Sequence, residues 1–99
     1  MALVISPKIR NKLLQKHGVS EEEIIQCFTS RERGFLVDSR ENHRTDPPTH
    51  WFIAETDFGK KLKVVFIQSR DNSDIYIKTA YLANEKEMEI YNNCAPIIT

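Results

Sequence analysis

The side chains of this sequence that are suited to chemistry are mostly cations, joined by two histidines and a tyrosine. They are Lys16, His17, Arg40, His43, Arg44, Lys61, Lys63, Lys78 and Tyr81. When an RNA 2′-hydroxyl attacks the adjacent phosphate, the reaction needs a base for that hydroxyl, an acid for the leaving oxygen and cations for the charge that develops on phosphorus. The set above suits this chemistry. Because the 2′-hydroxyl is the nucleophile, neither a metal nor a protein nucleophile is required.

Motifs for other chemistries are absent from the sequence. His17, His43 and His50 share no close ligand spacing with each other or with Cys27 and Cys94, so we expect no metal site and no cofactor. The sequence contains no GxSxG, no P-loop and no GxGxxG, so neither acyl transfer nor nucleotide binding has motif support.

Three of the candidate cations lie on predicted neighbouring strands. Lys61 and Lys63 are two residues apart, so on a strand they project from the same face. Lys78 lies on the next predicted strand, which would gather positive charge on one side of the sheet. The alternative is that these lysines form the solvated side of an antiparallel sheet. Trp51 and Phe52 could stack RNA bases, but aromatic residues of a strand are more often part of the core.

The remaining candidates also have a structural interpretation. His17 falls on the apolar side of a predicted helix at its C-terminal end, where it could pack or interact with the last carbonyls. Tyr81 has the parity of Ile75 and Ile77, so its ring could be part of the core with the hydroxyl reaching out. The loop of residues 40–46 could bind RNA or could simply be a solvated polar loop.

The hydrophobic pattern predicts three helices. The first begins at Pro7, whose missing N–H is not needed at this position, and ends at Gly18. The second begins after Ser20, which forms a capping box with a glutamate three residues on, and runs to about Phe28. Asn84 caps the third.

Between the second and third helices the pattern changes to that of strands. Four segments are rich in β-branched and aromatic residues, namely Phe35–Arg40, Trp51–Thr56, Leu62–Gln68 and Ile75–Ala80. Short turn-like connections make the last three an antiparallel meander. The order α-α-β-β-β-β-α predicts an α+β fold, with helices packed on a four-stranded antiparallel sheet. We expect one domain over residues 1–92 and a flexible tail over residues 93–99.

The composition fits this fold and sets limits on the partners. The 99 residues include 14 Lys+Arg and 14 Asp+Glu, a formal net charge of zero, which disfavours indiscriminate binding of polyanions but not a local basic surface. No apolar stretch is long enough to cross a bilayer, and the N-terminus has no basic n-region or cleavage site of a signal peptide. Two cysteines form no disulfide framework, so the expected compartment is the cytoplasm.

The segment Lys16-His17-Gly18-Val19-Ser20, followed by an acidic helix start and Phe28, resembles the BrnT family of type II toxins. The similarity continues through residues 51–54, 59–65 and 75–80 and the third helix with Glu87 and Tyr91, so that it covers about residues 8 to 92. It implies a RelE-like fold, ribonuclease activity on RNA and neutralisation by a small DNA-binding antitoxin encoded alongside.

The sequence departs from this family at two positions. Where the family commonly has arginines, Trp51 and Tyr81 stand here. Lys61, Lys63 and Lys78 could substitute in part, although lysine lacks the bidentate fork of arginine.

These observations lead to one principal hypothesis and two alternatives. The principal hypothesis is a toxin-like endoribonuclease (an mRNA interferase) in which Lys61, Lys63 and Lys78 stabilise phosphate. In this hypothesis His43 or Tyr81 transfers protons, and Lys16, Arg40 and Arg44 bind RNA. The first alternative is a non-catalytic interaction protein with the same fold. The second is ADP-ribosyl-(dinitrogen reductase) hydrolase activity, a name carried by related short chains, but the sequence has no motif for that chemistry.

Overall fold

The computed structural model describes residues 2–38 and 47–97. The loop candidates Arg40, His43 and Arg44 therefore lie outside the described residues. The elements, in chain order, are β1 (Leu3–Val4), α1 (Pro7–Lys12) continued by a π-helical segment (Leu13–His17), α2 (Glu21–Ser30), β2 (Leu36–Val37), β3 (Thr49–Glu55), β4 (Lys61–Gln68), β5 (Ile75–Leu82) and α3 (Glu85–Cys94).

Within the described residues, the strands form one five-stranded sheet in the order β1-β5-β4-β3-β2. The α+β class and the antiparallel pairing of β2 with β3, β3 with β4 and β4 with β5 are confirmed. The expectation of four antiparallel strands is wrong, because β1 adds a fifth strand parallel to β5. The Ile75 N–H donates to the Ala2 carbonyl at 2.8 Å, and the Ala2 N–H donates to Asp74 Oδ1 at 2.9 Å. A two-residue strand has too few positions to show a period of two in the sequence.

A β-bulge in β5 changes which side chains share a face. Phe66 pairs with Ile77 and Val65 pairs with Thr79, so Lys78 is the extra residue. Up to Ile77, the odd-numbered residues of β5 face the main core, which lies between the sheet and α2. Beyond the bulge, the odd-numbered Tyr81 faces the opposite side of the sheet. The alternative that placed the Tyr81 ring in the core by parity with Ile77 is therefore wrong.

Helices cover both faces of the sheet. On one face, the π-helical segment packs against β5 and α2 packs against β3 and β4. Ile24 and Cys27 of α2 are fully buried there, and Phe52 and Phe66 of the sheet are fully buried beneath them. On the other face, α3 packs against β3, with its Tyr91 ring 5.7 Å from the Trp51 ring.

The predicted helix boundaries are close to those observed. Gly18, at φ 63°, ends the first helix as expected, although the last turn before it is π-helical. Ser20 forms its capping box, and α2 runs two residues beyond the predicted end at Phe28. Asn84 caps α3, also with a capping box.

The segment after α3 packs against the segment that follows α2. Ala95 is 4% exposed, the Gly34 N–H donates to the Pro96 carbonyl at 2.7 Å, and Arg33 forms a β-bridge with Ile97. A Cβ at Gly34 would lie 3.0 Å from Pro96 Cγ, so this close approach suits glycine. Within the tail that was expected to be flexible, residues 93–94 thus belong to α3 and residues 95–97 contact the segment after α2. Residues 98–99 lie outside the described part.

Candidate functional site

Three side chains meet at one carboxylate oxygen on the α3 side of the sheet. Lys63 Nζ donates to Glu87 Oε2 at 2.8 Å, and the Tyr81 hydroxyl donates to the same oxygen at 2.9 Å. We call Lys63, Tyr81 and Glu87 the carboxylate cluster. Two donors directed at one oxygen make a small anion site, in which the anion is the protein's own glutamate.

The strands and α3 hold these residues in place through main-chain interactions. Lys63 of β4 and Tyr81 of β5 are cross-strand partners, so their side chains leave the sheet side by side. Glu87 is the third residue of α3. Its Oε1 accepts the Asn84 N–H at 3.1 Å and the Asn84 side chain accepts the Glu87 N–H at 2.8 Å. The capping box therefore uses one carboxylate oxygen and directs the other to the sheet.

The carboxylate cluster is largely shielded from solvent, and this burial affects the pKa values of Glu87 and Tyr81. The Lys63 side chain is 12% exposed and the Glu87 side chain 16%. Burial alone would raise the pKa of Glu87, but hydrogen bonds from Lys63, the Asn84 backbone and Tyr81 outweigh it and hold the pKa below its usual value. Burial and the bond to Glu87 raise the pKa of Tyr81. At neutral pH Glu87 is therefore a carboxylate and Tyr81 a protonated phenol.

An open cleft of about 360 Å³ lies beside the carboxylate cluster and includes both Lys63 and Glu87 in its walls. Its apolar walls include Trp51 and Val65, and Lys63 Nζ lies 4.6 Å from the centroid of the Trp51 ring. The cation of Lys63 is thus held between a carboxylate and an aromatic face. An incoming group of mixed polarity would meet an indole, a lysine and two carboxylates, because Asp38 also lines the cleft.

His17 approaches the carboxylate cluster from the end of the π-helical segment. Its ring centroid lies 5.8 Å from that of Tyr81, with the two planes tilted by 40°. β1 pairs with β5 at Ile75 and Tyr76, at the other end of the strand, which leaves the π-helical segment beside the Tyr81 end. Lys16, the neighbour of His17, is exposed.

The other predicted strand lysines occupy different places. Lys61 projects from the same face as Lys63, as predicted, but it is exposed and lies opposite Glu55 in the register. It lines a second cleft of about 290 Å³ together with Arg33 and Glu55. Lys78 is exposed at the bulge of β5. The structure therefore brings Lys63 and Tyr81 together and leaves Lys61 and Lys78 exposed outside the carboxylate cluster.

No protein-family model matches the sequence, and a search of curated proteins finds no match. Within residues 2–38 and 47–97, no group of three or more His, Cys, Asp or Glu side chains could hold a metal ion. In the same part of the chain, no helix is both long and apolar enough to cross a membrane.

Glu87 is the part of the site that could not be predicted from the sequence. Asn84 is confirmed as the predicted helix cap, and Glu87, three residues on, completes its capping box. This capping signal carries no information about Lys63, which is 24 residues away from Glu87 in the chain. Trp51 is partly buried, as a core aromatic would be, yet it also forms a wall of the cleft.

Proposed function

We propose that this protein is a metal-independent endoribonuclease of the toxin–antitoxin kind, with a RelE-like fold, that cleaves RNA at the carboxylate cluster. The observation that carries the proposal is the convergence of Lys63 Nζ and the Tyr81 hydroxyl on one anionic oxygen beside an open cleft. A phosphate oxygen is also an anionic acceptor of charge-assisted hydrogen bonds, so the same two donors suit it. The resemblance of motifs within residues 8–92 to the BrnT family is our reason for proposing this fold and this class of substrate.

The proposed reaction needs only the substrate's own hydroxyl as nucleophile. The 2′-oxygen attacks the adjacent phosphorus and the bond from phosphorus to the 5′-oxygen breaks, which gives a 2′,3′-cyclic phosphate and a 5′-hydroxyl. Lys63 stabilises the charge of the phosphorane. The Tyr81 phenol, protonated at neutral pH, gives its proton to the leaving oxygen.

His17 is the described side chain near Tyr81 that is best suited to accept the proton of the 2′-hydroxyl. It takes the place that the sequence analysis assigned to His43, which lies outside the described residues. Lys61 and Lys78 bind flanking phosphates in this proposal, and Lys16, Arg40 and Arg44 extend the contact with RNA. The partner that would neutralise the activity is a small DNA-binding antitoxin, and the compartment is the cytoplasm.

The proposal is tested by RNA cleavage with the double variant Lys61→Ala, Lys63→Ala. The matched control is Lys8→Ala, Lys12→Ala, which removes the same charge from exposed positions on α1. We expect wild type and the control to cleave RNA and the test variant to lose cleavage while its circular dichroism remains that of a folded protein. Intact RNA with wild-type protein, or equal cleavage by the two double variants, would refute the proposal.

A second candidate is a non-catalytic interaction protein, and one observation favours it. Glu87 already neutralises the Lys63 cation, and the walls of the adjacent cleft are mainly apolar. A stable complex with a small partner protein, unaffected by Lys63→Ala and without any RNA cleavage by the free protein, would favour this candidate over the endoribonuclease.

A further inference from the structure

We infer that Glu87 is an internal competitor of the substrate, whose carboxylate occupies the position that an RNA phosphate must take between Lys63 and Tyr81. This inference rests on the proposed function and concerns how the site is regulated. Glu87 then acts as an autoinhibitory residue: RNA binds productively when its carboxylate leaves the two donors.

The hydrogen-bond geometry carries the inference. Both donors reach a single oxygen, Glu87 Oε2. The Lys63 distance of 2.8 Å is that of a charge-assisted bond, and the Tyr81 distance of 2.9 Å is within the range of an ordinary O–H···O hydrogen bond. The Tyr81 hydroxyl has one proton and donates to one oxygen at a time. The Lys63 ammonium has three, but two anionic oxygens beside it would repel each other. Phosphate and the Glu87 carboxylate therefore compete for these donors.

Glu87 is poorly suited to the alternative role of general base. A general base works best when its pKa lies near the working pH, whereas the contacts of Glu87 hold its pKa below the usual carboxylate value. The same contacts also direct both of its oxygens to donors, one to the Asn84 backbone and the other to the carboxylate cluster. A carboxylate so engaged competes for the cationic site rather than collecting a proton from substrate.

The surroundings give an incoming phosphate access to the donors. Lys63 and Glu87 are both in the wall of the 360 Å³ cleft, so a phosphate can approach from the cleft while the glutamate turns away. Trp51 lies beside the ammonium of Lys63, where it can contact the sugar or base that follows the phosphate. When Glu87 turns away from Lys63, its carboxylate also leaves the capping box of α3. The inhibition is therefore linked to the start of that helix.

The test variant is Glu87→Gln, because glutamine can keep the capping box but cannot supply an anion to Lys63. The matched control is Glu89→Gln, an exposed position on the same helix with the same change in net charge. A second variant, Glu87→Asp, keeps the charge but shortens the reach to Lys63 and Tyr81. It covers the case in which Glu87→Gln does not fold.

The probe is a 2′-O-methyl oligoribonucleotide, which cannot be cleaved by 2′-oxygen attack, and the readout is its dissociation constant at low salt. We expect Glu87→Gln to bind it about tenfold more tightly than wild type, Glu87→Asp to bind it more tightly by a smaller factor, and Glu89→Gln to change binding by less than about twofold. A gain for Glu87→Gln no larger than that for Glu89→Gln, or weaker binding by both Glu87 variants, would overturn the inference.

An RNA cleavage assay distinguishes failure of this inference from failure of the proposed function. If wild type cleaves RNA but release of Glu87 does not strengthen binding, the inference alone fails. If wild type does not cleave RNA, the proposed function is refuted. If, in addition, neither Glu87 variant binds the probe more tightly than wild type, the inference is refuted as well.

Discussion

Lys63 and Tyr81 are cross-strand partners of β4 and β5, and both donate a hydrogen bond to the same carboxylate oxygen of Glu87. This relationship depends on the bulge at Lys78, because the extra residue turns the Tyr81 side chain from the main core towards α3. A regular β5 strand would place Tyr81 beneath the helices on the other face. The bulge thus creates the anion site by pairing a phenol with a lysine.

The stability of the fold should depend on Glu87 more than on its neighbours in α3. Glu87→Ala removes half of the capping box and leaves the largely buried Lys63 cation without its partner. We expect it to lower the free energy of unfolding by about 2–4 kcal/mol, measured by urea denaturation. The exposed Glu89→Ala should change it by less than about 0.5 kcal/mol. Equal effects of the two substitutions would show that the Lys63–Glu87 contact contributes nothing to stability.

The contribution of Glu87 to the free energy of unfolding should also disappear in acid. Its pKa is lower in the folded state than in the unfolded chain, so the stabilisation is fully present above the usual value of 4.5 and is lost as the pH falls through the folded-state pKa. Urea denaturation of wild type and Glu87→Gln, compared across pH, should show a constant difference near neutrality that shrinks below about pH 4.5. A difference that grows as the pH falls would contradict the assignment of Glu87 as a carboxylate bound by Lys63 and Tyr81.

The helix starts and the strands β3, β4 and β5 are the parts of the fold that could be predicted from sequence. Of the predicted first strand, Phe35–Arg40, only Leu36–Val37 is a strand within the described residues. The capping boxes at Ser20 and Asn84 and the left-handed Gly18 are local signals, which involve residues at most six apart. The parallel β1 could not be predicted, because its pairing with Ile75 joins residues about 70 positions apart through two main-chain positions. The bulge at Lys78 has no glycine to mark it.

The same division between local and distant interactions applies to the candidate site. That Lys61 and Lys63 share a face follows from their spacing, and the structure agrees. Lys63 forms an ion pair with Glu87, whereas Lys61 is exposed. This difference depends on where α3 packs, because Glu87 belongs to that helix. A pattern of alternating residues along one strand contains no information about the element that packs on it.

The two cysteines should differ sharply in reactivity. Cys27 is fully buried, and burial raises the pKa of its thiol to about 11, whereas Cys94 is exposed at the end of α3. A thiol reagent at about pH 8 should therefore modify one cysteine per chain rapidly. Cys94→Ser should remove this fast reaction, and urea should make Cys27 reactive. Rapid modification of both thiols in the folded protein would contradict the burial of Cys27 beneath α2.

The most direct measurement of the proposed function is RNA cleavage by wild type, Tyr81→Phe and Tyr76→Phe. Both substitutions remove one hydroxyl from β5, but Tyr76 is exposed and lies at the far end of the strand. We predict that wild type and Tyr76→Phe produce RNA ends with 2′,3′-cyclic phosphate at similar rates. Tyr81→Phe should be slower by about 10²-fold or more, because it loses the acid for the leaving oxygen. Intact RNA with wild-type protein, or equal rates for the two tyrosine variants, would contradict catalysis at Lys63 and Tyr81.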